Sequence, residues 1–245
     1  MDDAAFFDLD NTLIKGSALF HLGVGMVGHH VVSRREMLRH AGRHAAYRWR
    51  GEHGGHVVDM RDTALALGAG LPVDAIVALS ERVFDDRLAG RIWQGSRSLA
   101  QQHLDAGRAV WVVTAAPVEL AMLIARRLGF SGALGTVSEV SDGKWTGRLA
   151  GRVLHGQAKA DAVAELARRE GYTLDRCAAY SDSINDLPLL ELAGRPHAVN
   201  PDRTLARVAY ERGWTVHDFR TTRRVLRRPR APGRGGDRGV VALER

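Results

Sequence analysis

The chain has 245 residues, 45% of them hydrophobic, which suffices for one large domain or for a domain carrying a smaller inserted one. Its one cysteine, Cys177, excludes an internal disulfide and leads us to expect a reducing, cytoplasmic setting. The net charge of +7 suggests nucleic acid until it is located: nine of the 35 basic and two of the 28 acidic side chains lie from Arg220 onward, so the preceding 219 residues balance 26 against 26.

The chain opens on MDDAAFF, which is acidic and leads directly into a strand, unlike a signal peptide. In AFFDLDNTL, Phe6, Phe7 and Leu9 belong in a core while Asp8 and Asp10 interrupt them two residues apart. Alternate strand residues share a face, so both carboxylates point the same way, an arrangement that needs a cation or hydrogen bonds to compensate it. Residues 16–90 read as helical and rich in histidine, an insertion between the first strand and the rest. Its apolar stretch at 18–32 is too short and too rich in histidine to span a bilayer. That stretch either packs the insertion's own core or lines a pocket. Seven of the eleven histidines fall here, at positions 21, 29, 30, 40, 44, 53 and 56. His40 and His44 have the i,i+4 spacing of a zinc pair, but no third ligand is evident, and solvated or aromatic-packed imidazoles fit better.

From about residue 95 the pattern alternates. SRSLAQQHLDAG is a helix closed by Gly107, AVWVVT (109–114) a strand, and PVELAMLIARRLG a helix from Pro117 to Gly129. Residues 138–154 form a hairpin about Asp142-Gly143. Helix 158–171, strand RCAAYSD (176–182), helix NDLPLLELAG, strand HAVN (197–200), a helix in PDRTLARVAYERG and a strand in WTVHDF complete the series. Cys177 reads as a small buried apolar residue. This alternation predicts an α/β fold: a Rossmann-like parallel sheet flanked by helices, with an inserted all-helical cap and a β-hairpin flap. The expected division is a core of residues 1–15 and 91–219, a cap of residues 16–90, and a basic tail of residues 220–245. The tail is rich in Arg, Gly and Pro and lacks aromatic residues to stack on bases. Contact with nucleic acid or an anionic membrane through counterion release is the weaker reading of it, and a solvated extension without a specific partner the stronger.

In open α/β sheets, ligands bind beyond the carboxyl ends of the strands. Asp8 and Asp10, Thr114, and Asp182 end three of the strands and so converge on one crevice. Asp8, Asp182 and Asp186 together repel one another unless a hard cation, in practice Mg²⁺, joins them. Thr114 and Lys159 suit phosphate oxygens as donor and point charge. The set describes a phosphoryl-transfer site.

DLDNTL, VVTAAP, Lys159 in GQAKADAV and SDSINDLP, in that order, resemble the four motifs of the haloacid-dehalogenase superfamily, in the branch similar to phosphoserine phosphatase with a helical cap. The hairpin DGKWTGRL and the closing AVNPD resemble that branch too, and the likeness covers residues 4 to 219. The resemblance implies that Asp8 attacks phosphorus and Asp10 acts as proton carrier. It implies Mg²⁺ held by Asp8, the Asp10 carbonyl and Asp182, and phosphate bound by Thr114, the backbone at Ala115 and Lys159. Thr12, Asn185 and Asp186 become supporting residues. The expected substrate is a small organic phosphomonoester, with phosphoserine itself, or transfer to an acceptor alcohol, as alternatives within the family. A non-catalytic protein acting through the Arg-rich tail is the alternative outside it. Two positions bear on specificity: Ser17, where phosphoserine phosphatases carry a carboxylate facing the substrate ammonium, and Arg61, which is either a cap residue for a substrate carboxylate or phosphate or, the default reading, an exposed helix arginine. No acid lies between Asp10 and Glu36, so the sequence argues against phosphoserine and for a less polar ester.

Overall fold

The computed structural model describes residues 3–28 and 68–220. Strand β1 (Ala4–Phe7) is wholly buried, with Ala5 and Phe7 facing one core cluster and Ala4 and Phe6 the other. A strand covered on both faces reads as an unbroken apolar run, as AAFF does. It lies at the centre of a six-stranded parallel sheet with β2 (Ala109–Pro117), β3 (Gly132–Thr136), β6 (Ala178–Ser181), β7 (Arg195–Val199) and β8 (Thr215–His217), in the order β3-β2-β1-β6-β7-β8. Successive strands first add on one side of β1 and then on the other. The chain therefore reverses direction beside β1, the place where such sheets open a crevice. The remaining two strands, β4 (Ser138–Ser141) and β5 (Lys144–Leu149), form an antiparallel hairpin. Its turn places Asp142 and Gly143 at φ 50° and 72°, the left-handed pair that matches strand twist in a two-residue hairpin.

The helices are α1 (Ala18–Gly28), α2 (Val73–Val83), α3 (Gln94–Asp105), α4 (Val118–Leu128), α5 (Gln157–Glu170), α6 (Leu187–Leu192) and α7 (Arg203–Glu211). Helix α2 continues through a π turn at Phe84–Leu88 and a 3-10 turn at Ala89–Arg91. α1 to α4 pack on the Phe7 face, and α5 to α7 on the Phe6 face. Gly129 and Gly171 close α4 and α5 in the left-handed conformation.

The described parts of the insertion, α1 and α2, are helical and pack on each other. Its ends meet: Ile14 bridges Ile92 in antiparallel fashion, the Lys15 amide donates to the Arg91 carbonyl at 2.8 Å, and that of Trp93 to Leu13 at 2.9 Å. Histidines 29, 30, 40, 44, 53 and 56, Arg61 and residues 221–245 of the tail lie outside the described residues. Among the described residues no helix is long and apolar enough to cross a membrane.

Two elements differ from the sequence expectation. Strand β3, GALGT, has little of the β-branched and aromatic content that marks a strand, and forms because β2 pairs with it. β2 runs on to Pro117 rather than ending at Thr114, and its pairing with β3 slips: Val113 faces Leu134, but Pro117 faces Thr136. Three residues of β2, Thr114 to Ala116, thus stand opposite Gly135 alone, a bulge rather than a strand end.

Candidate active site

Asp8 follows β1 directly, and its amide donates to the Tyr180 carbonyl on β6 at 2.9 Å. That bond carries the strand pairing one residue further and fixes the Asp8 backbone between the Thr114 bulge and Ser181. Its carboxylate is 5% exposed. Lys159, in the first turn of α5 and equally buried, donates to Asp8 Oδ1 at 2.5 Å and to Asp186 Oδ2 at 2.7 Å. Ser181 Oγ also donates to Asp186 Oδ2, at 2.8 Å. The Ser181 hydroxyl therefore holds the acid that holds the lysine. Asp186 Oδ1 is buried without a hydrogen-bond partner among the described residues.

Asp10 lies past Asp8 on the same loop. Its Oδ1 accepts from the Ala18 amide at 2.8 Å, joining the loop to the first residue of α1. Asn11 takes φ 55°, and its Oδ1 accepts from the Gly16 amide at 3.0 Å. This tight turn swings the chain from strand into insertion. Thr12 is buried and steadies the loop through its carbonyl, which accepts from Ser96 Oγ at 2.5 Å, rather than through its hydroxyl.

In the bulge, Thr114 Oγ1 accepts from the Ala116 amide at 3.1 Å, which leaves the hydroxyl proton available to a ligand. The Ala115 carbonyl is held by Thr136 Oγ1 at 2.9 Å, and Thr136 accepts in turn from the Leu154 amide. Asp182 is half-buried, and its carbonyl accepts from the Asp202 amide at 2.7 Å. The Asp202 carboxylate caps α7 through the Leu205 amide and anchors Ile184 in the 182–186 turn, both at 2.8 Å.

Sequence reasoning assigned no role to Gly135, Thr136, Ser181, Asn200 or Asp202. Asn200 joins three segments: it donates from Nδ2 to the Asn11 carbonyl at 3.0 Å, accepts at Oδ1 from the Phe219 amide, and donates its own amide to His217. Its φ of 47°, in a conformation that asparagine tolerates, was a signal hidden in the AVNPD run. Two expected residues are not brought in. Asn185 is exposed, and Ser17 accepts from the Phe20 amide at 3.4 Å as the residue just before α1.

Electrostatically the crevice is underpaid in positive charge. Burial, and then Asp186, Asp182 and Asp10, hold the Asp8 carboxyl well above the ordinary range against the pull of Lys159. Burial and Asp186 push Asp182 up to about 7. Burial opposes the Lys159 charge, but Asp8 and Asp186 outweigh it and its pKa is raised. One ammonium thus serves four carboxylates. Among the described residues no three carboxylates, imidazoles or thiols form a ready metal cluster. The all-oxygen set of Asp8, Asp182 and the Asp10 carbonyl is nonetheless the sparse kind that suits a hard divalent cation completed by water and substrate. The unpartnered Asp186 oxygen sits where a cation-bound water would be welcome.

A buried carboxylate at the central strand's end, paired to lysine beside a bulge of backbone amides, defines a hydrolase of the α/β crevice type. The model of the haloacid dehalogenase-like hydrolase family matches residues 5–191, and the chain belongs to that family. It is 50% identical over 225 residues to phosphoserine phosphatase SerB1 of Mycobacterium tuberculosis, covering 91% of this chain and 73% of that protein. A crystal structure of a protein of unknown function from Bordetella pertussis Tohama I superposes with a TM-score of 0.75 at 28% identity, covering 88% of this chain and 98% of that one. A phosphoserine phosphatase solved in its apo form shares the fold, with a TM-score of 0.58 at 20% identity over 84% of this chain and 90% of that one.

Proposed function

We propose that this chain is a Mg²⁺-dependent phosphatase that hydrolyses a small organic phosphomonoester through an aspartyl phosphate on Asp8. The observation that carries the reading is the Lys159 bridge between Asp8 and Asp186 at the strand-order reversal. Asp8 attacks phosphorus, forming the acyl phosphate as the bond from phosphorus to the ester oxygen breaks. Asp10 gives that oxygen its proton, then takes one from the water that attacks the acyl phosphate and frees inorganic phosphate and Asp8. Lys159, the Thr114 hydroxyl and the bulge amides hold the phosphoryl oxygens as their charge redistributes. Asp8, Asp182 and the Asp10 carbonyl would hold the Mg²⁺, whose charge allows an anionic nucleophile to approach an anionic ester.

The leaving group faces an apolar wall. A pocket beside Ala115 is lined by Leu19, Leu22 and Met26 of α1, and by Trp145 and Leu149 of the hairpin. Helix α1 does line the pocket, but the core that Leu22 and Met26 also join is the one on the Phe7 face of the sheet rather than a separate core of the insertion. No described charged residue lines it. This favours an ester less polar than phosphoserine. The relative named phosphoserine phosphatase favours the other reading.

Purified protein with Mg²⁺ is expected to hydrolyse an aryl phosphate, to stop with EDTA, and in Asp8→Asn to lose at least about 10³-fold in kcat. Undiminished turnover by Asp8→Asn would sink the mechanism. A kcat/KM for phosphoserine above those for alkyl and aryl phosphates would decide for the second reading.

A further inference from the structure

A second cavity, of about 400 Å³, lies on the Phe7 face of the sheet, away from the crevice. Its size is that of a small-molecule pocket. Its floor is β6, β7 and β8, and its wall is the C-terminal half of α3. The cavity reaches the amino ends of the strands, at Ala178, Arg195 and Arg108. From Asp3 at that edge to Asp8 at the other is five residues, roughly 16 Å of strand.

Its side chains follow a pattern. Tyr180, His197 and His217 stand in a stack across neighbouring strands, with ring centroids 4.4 Å and 5.4 Å apart. His103 of α3 meets the Tyr180 hydroxyl at 2.8 Å, and Arg108 lies 3.0 Å from its other nitrogen. Arg108 and Arg195 both pair with Asp3, each at 3.1 Å, so two guanidinium groups share one carboxylate and one positive charge is left over. Gln102 completes the polar lining. No acidic side chain lines the cavity itself. Hydrogen-bond donors with excess positive charge, in a space large enough for an organic molecule, select an anion.

We infer that this cavity binds a small organic anion, a compact carboxylate or phosphate, at a site separate from the catalytic crevice. The principal rival occupant is the chain's own residues 221–245. They carry eight arginines against two acids and would bring like charge against Arg108 and Arg195. Burial holds His103 to about 4 and His197 to about 3, so both imidazoles are neutral and the positive charge that faces the cavity is carried by Arg108 and Arg195. The floor also adjoins the catalytic strand. Phe7, the residue before Asp8, stacks on Tyr180 at 4.1 Å, and Tyr180 accepts the Asp8 amide.

The test is titration of the full chain with benzoate and, separately, with phenylphosphonate, following the imidazole resonances of His103, His197 and His217. Saturable shifts of all three are expected with at least one probe, and which probe acts separates carboxylate from phosphate chemistry. Arg108→Gln with Arg195→Gln is expected to weaken binding about tenfold or more while aryl phosphatase activity stays within about twofold. Asp3→Asn, which releases both guanidinium groups, is expected to tighten binding about threefold, a gain that a merely structural role would not give. Imidazole signals unmoved by either probe, or equal binding in the double variant, overturn the inference. So does a chain lacking residues 221–245 whose three imidazoles shift on deletion alone, since the tail would then be the occupant.

Discussion

The crevice and the cavity share one sheet, and each buries ionisable groups, but they keep them in opposite ways. At the carboxyl ends of the strands, Asp8, Lys159 and Asp186 stay in contact as hydrogen-bonded charges, too many acids around one base. On the sheet face, His103, His197 and His217 are held neutral by burial. On the proposed mechanism the first region keeps a nucleophile and an ion site ready at a cost in stability, and charge removed there leaves a partner stranded. The second stays inexpensive until acid protonates it. Ionised burial suits chemistry on a charged substrate, whereas neutral burial suits adjustable recognition.

The largest break in this contrast is Lys159→Met. It strands Asp8 and Asp186 in the interior, and we expect a loss of about 3–5 kcal/mol in urea denaturation together with loss of turnover. Full stability would mean that the crevice is not held by ion pairing. Gly135→Ala comes next. A Cβ there would stand 2.7 Å from the Val118 Cα and 3.0 Å from the Ala116 carbonyl, both backbone, so the bulge beside it must move. About 1–3 kcal/mol of destabilisation and a fall in kcat are expected, and unchanged kinetics would detach the bulge from phosphate binding.

Acid probes the other region. With folded pKa values below the ordinary 6.5, His103 and His197 bind fewer protons folded than unfolded. Their contribution is present above about pH 6.5 and is lost as pH falls toward 4 and then 3, so stability rises with pH across that window. Urea midpoints at several pH values measure the slope, and His103→Gln with His197→Gln should flatten it. The smallest effect is that of Tyr180→Phe. It removes the hydroxyl that partners His103 and should cost about 1–2 kcal/mol, with a shift of the His103 resonance as its spectroscopic mark.

The chemistry was easier to read in the sequence than the geometry that supports it. Apolar strands ending on Asp8 and Asp182 are improbable without a crevice beyond them, and Lys159 offered a point charge suited to phosphate there. The structure brings Lys159 and Asp8 together with Asp186. What stayed hidden depends on contacts between distant segments. GALGT forms a strand only because β2 pairs with it, and the Thr114 bulge exists only in the register between the two. Ser181 showed no role until Asp186 lay beneath its hydroxyl. The cavity histidines come from α3, β7 and β8, and no local spacing announces them.

The antiparallel bridge from Ile14 to Ile92 has a consequence of another kind. Because the loop that follows β1 and the segment that precedes α3 are hydrogen-bonded neighbours, the chain between them is a closed excursion. Lengthening such an excursion adds a closure cost that grows only with the logarithm of its length, about 0.6 kcal/mol for each doubling. Evolution or an engineer can therefore exchange the segment between Ile14 and Ile92 for one of different length while Asp8 and Lys159 keep their places. On the proposed function, a new substrate preference is then a matter of transplantation rather than of rebuilding the site.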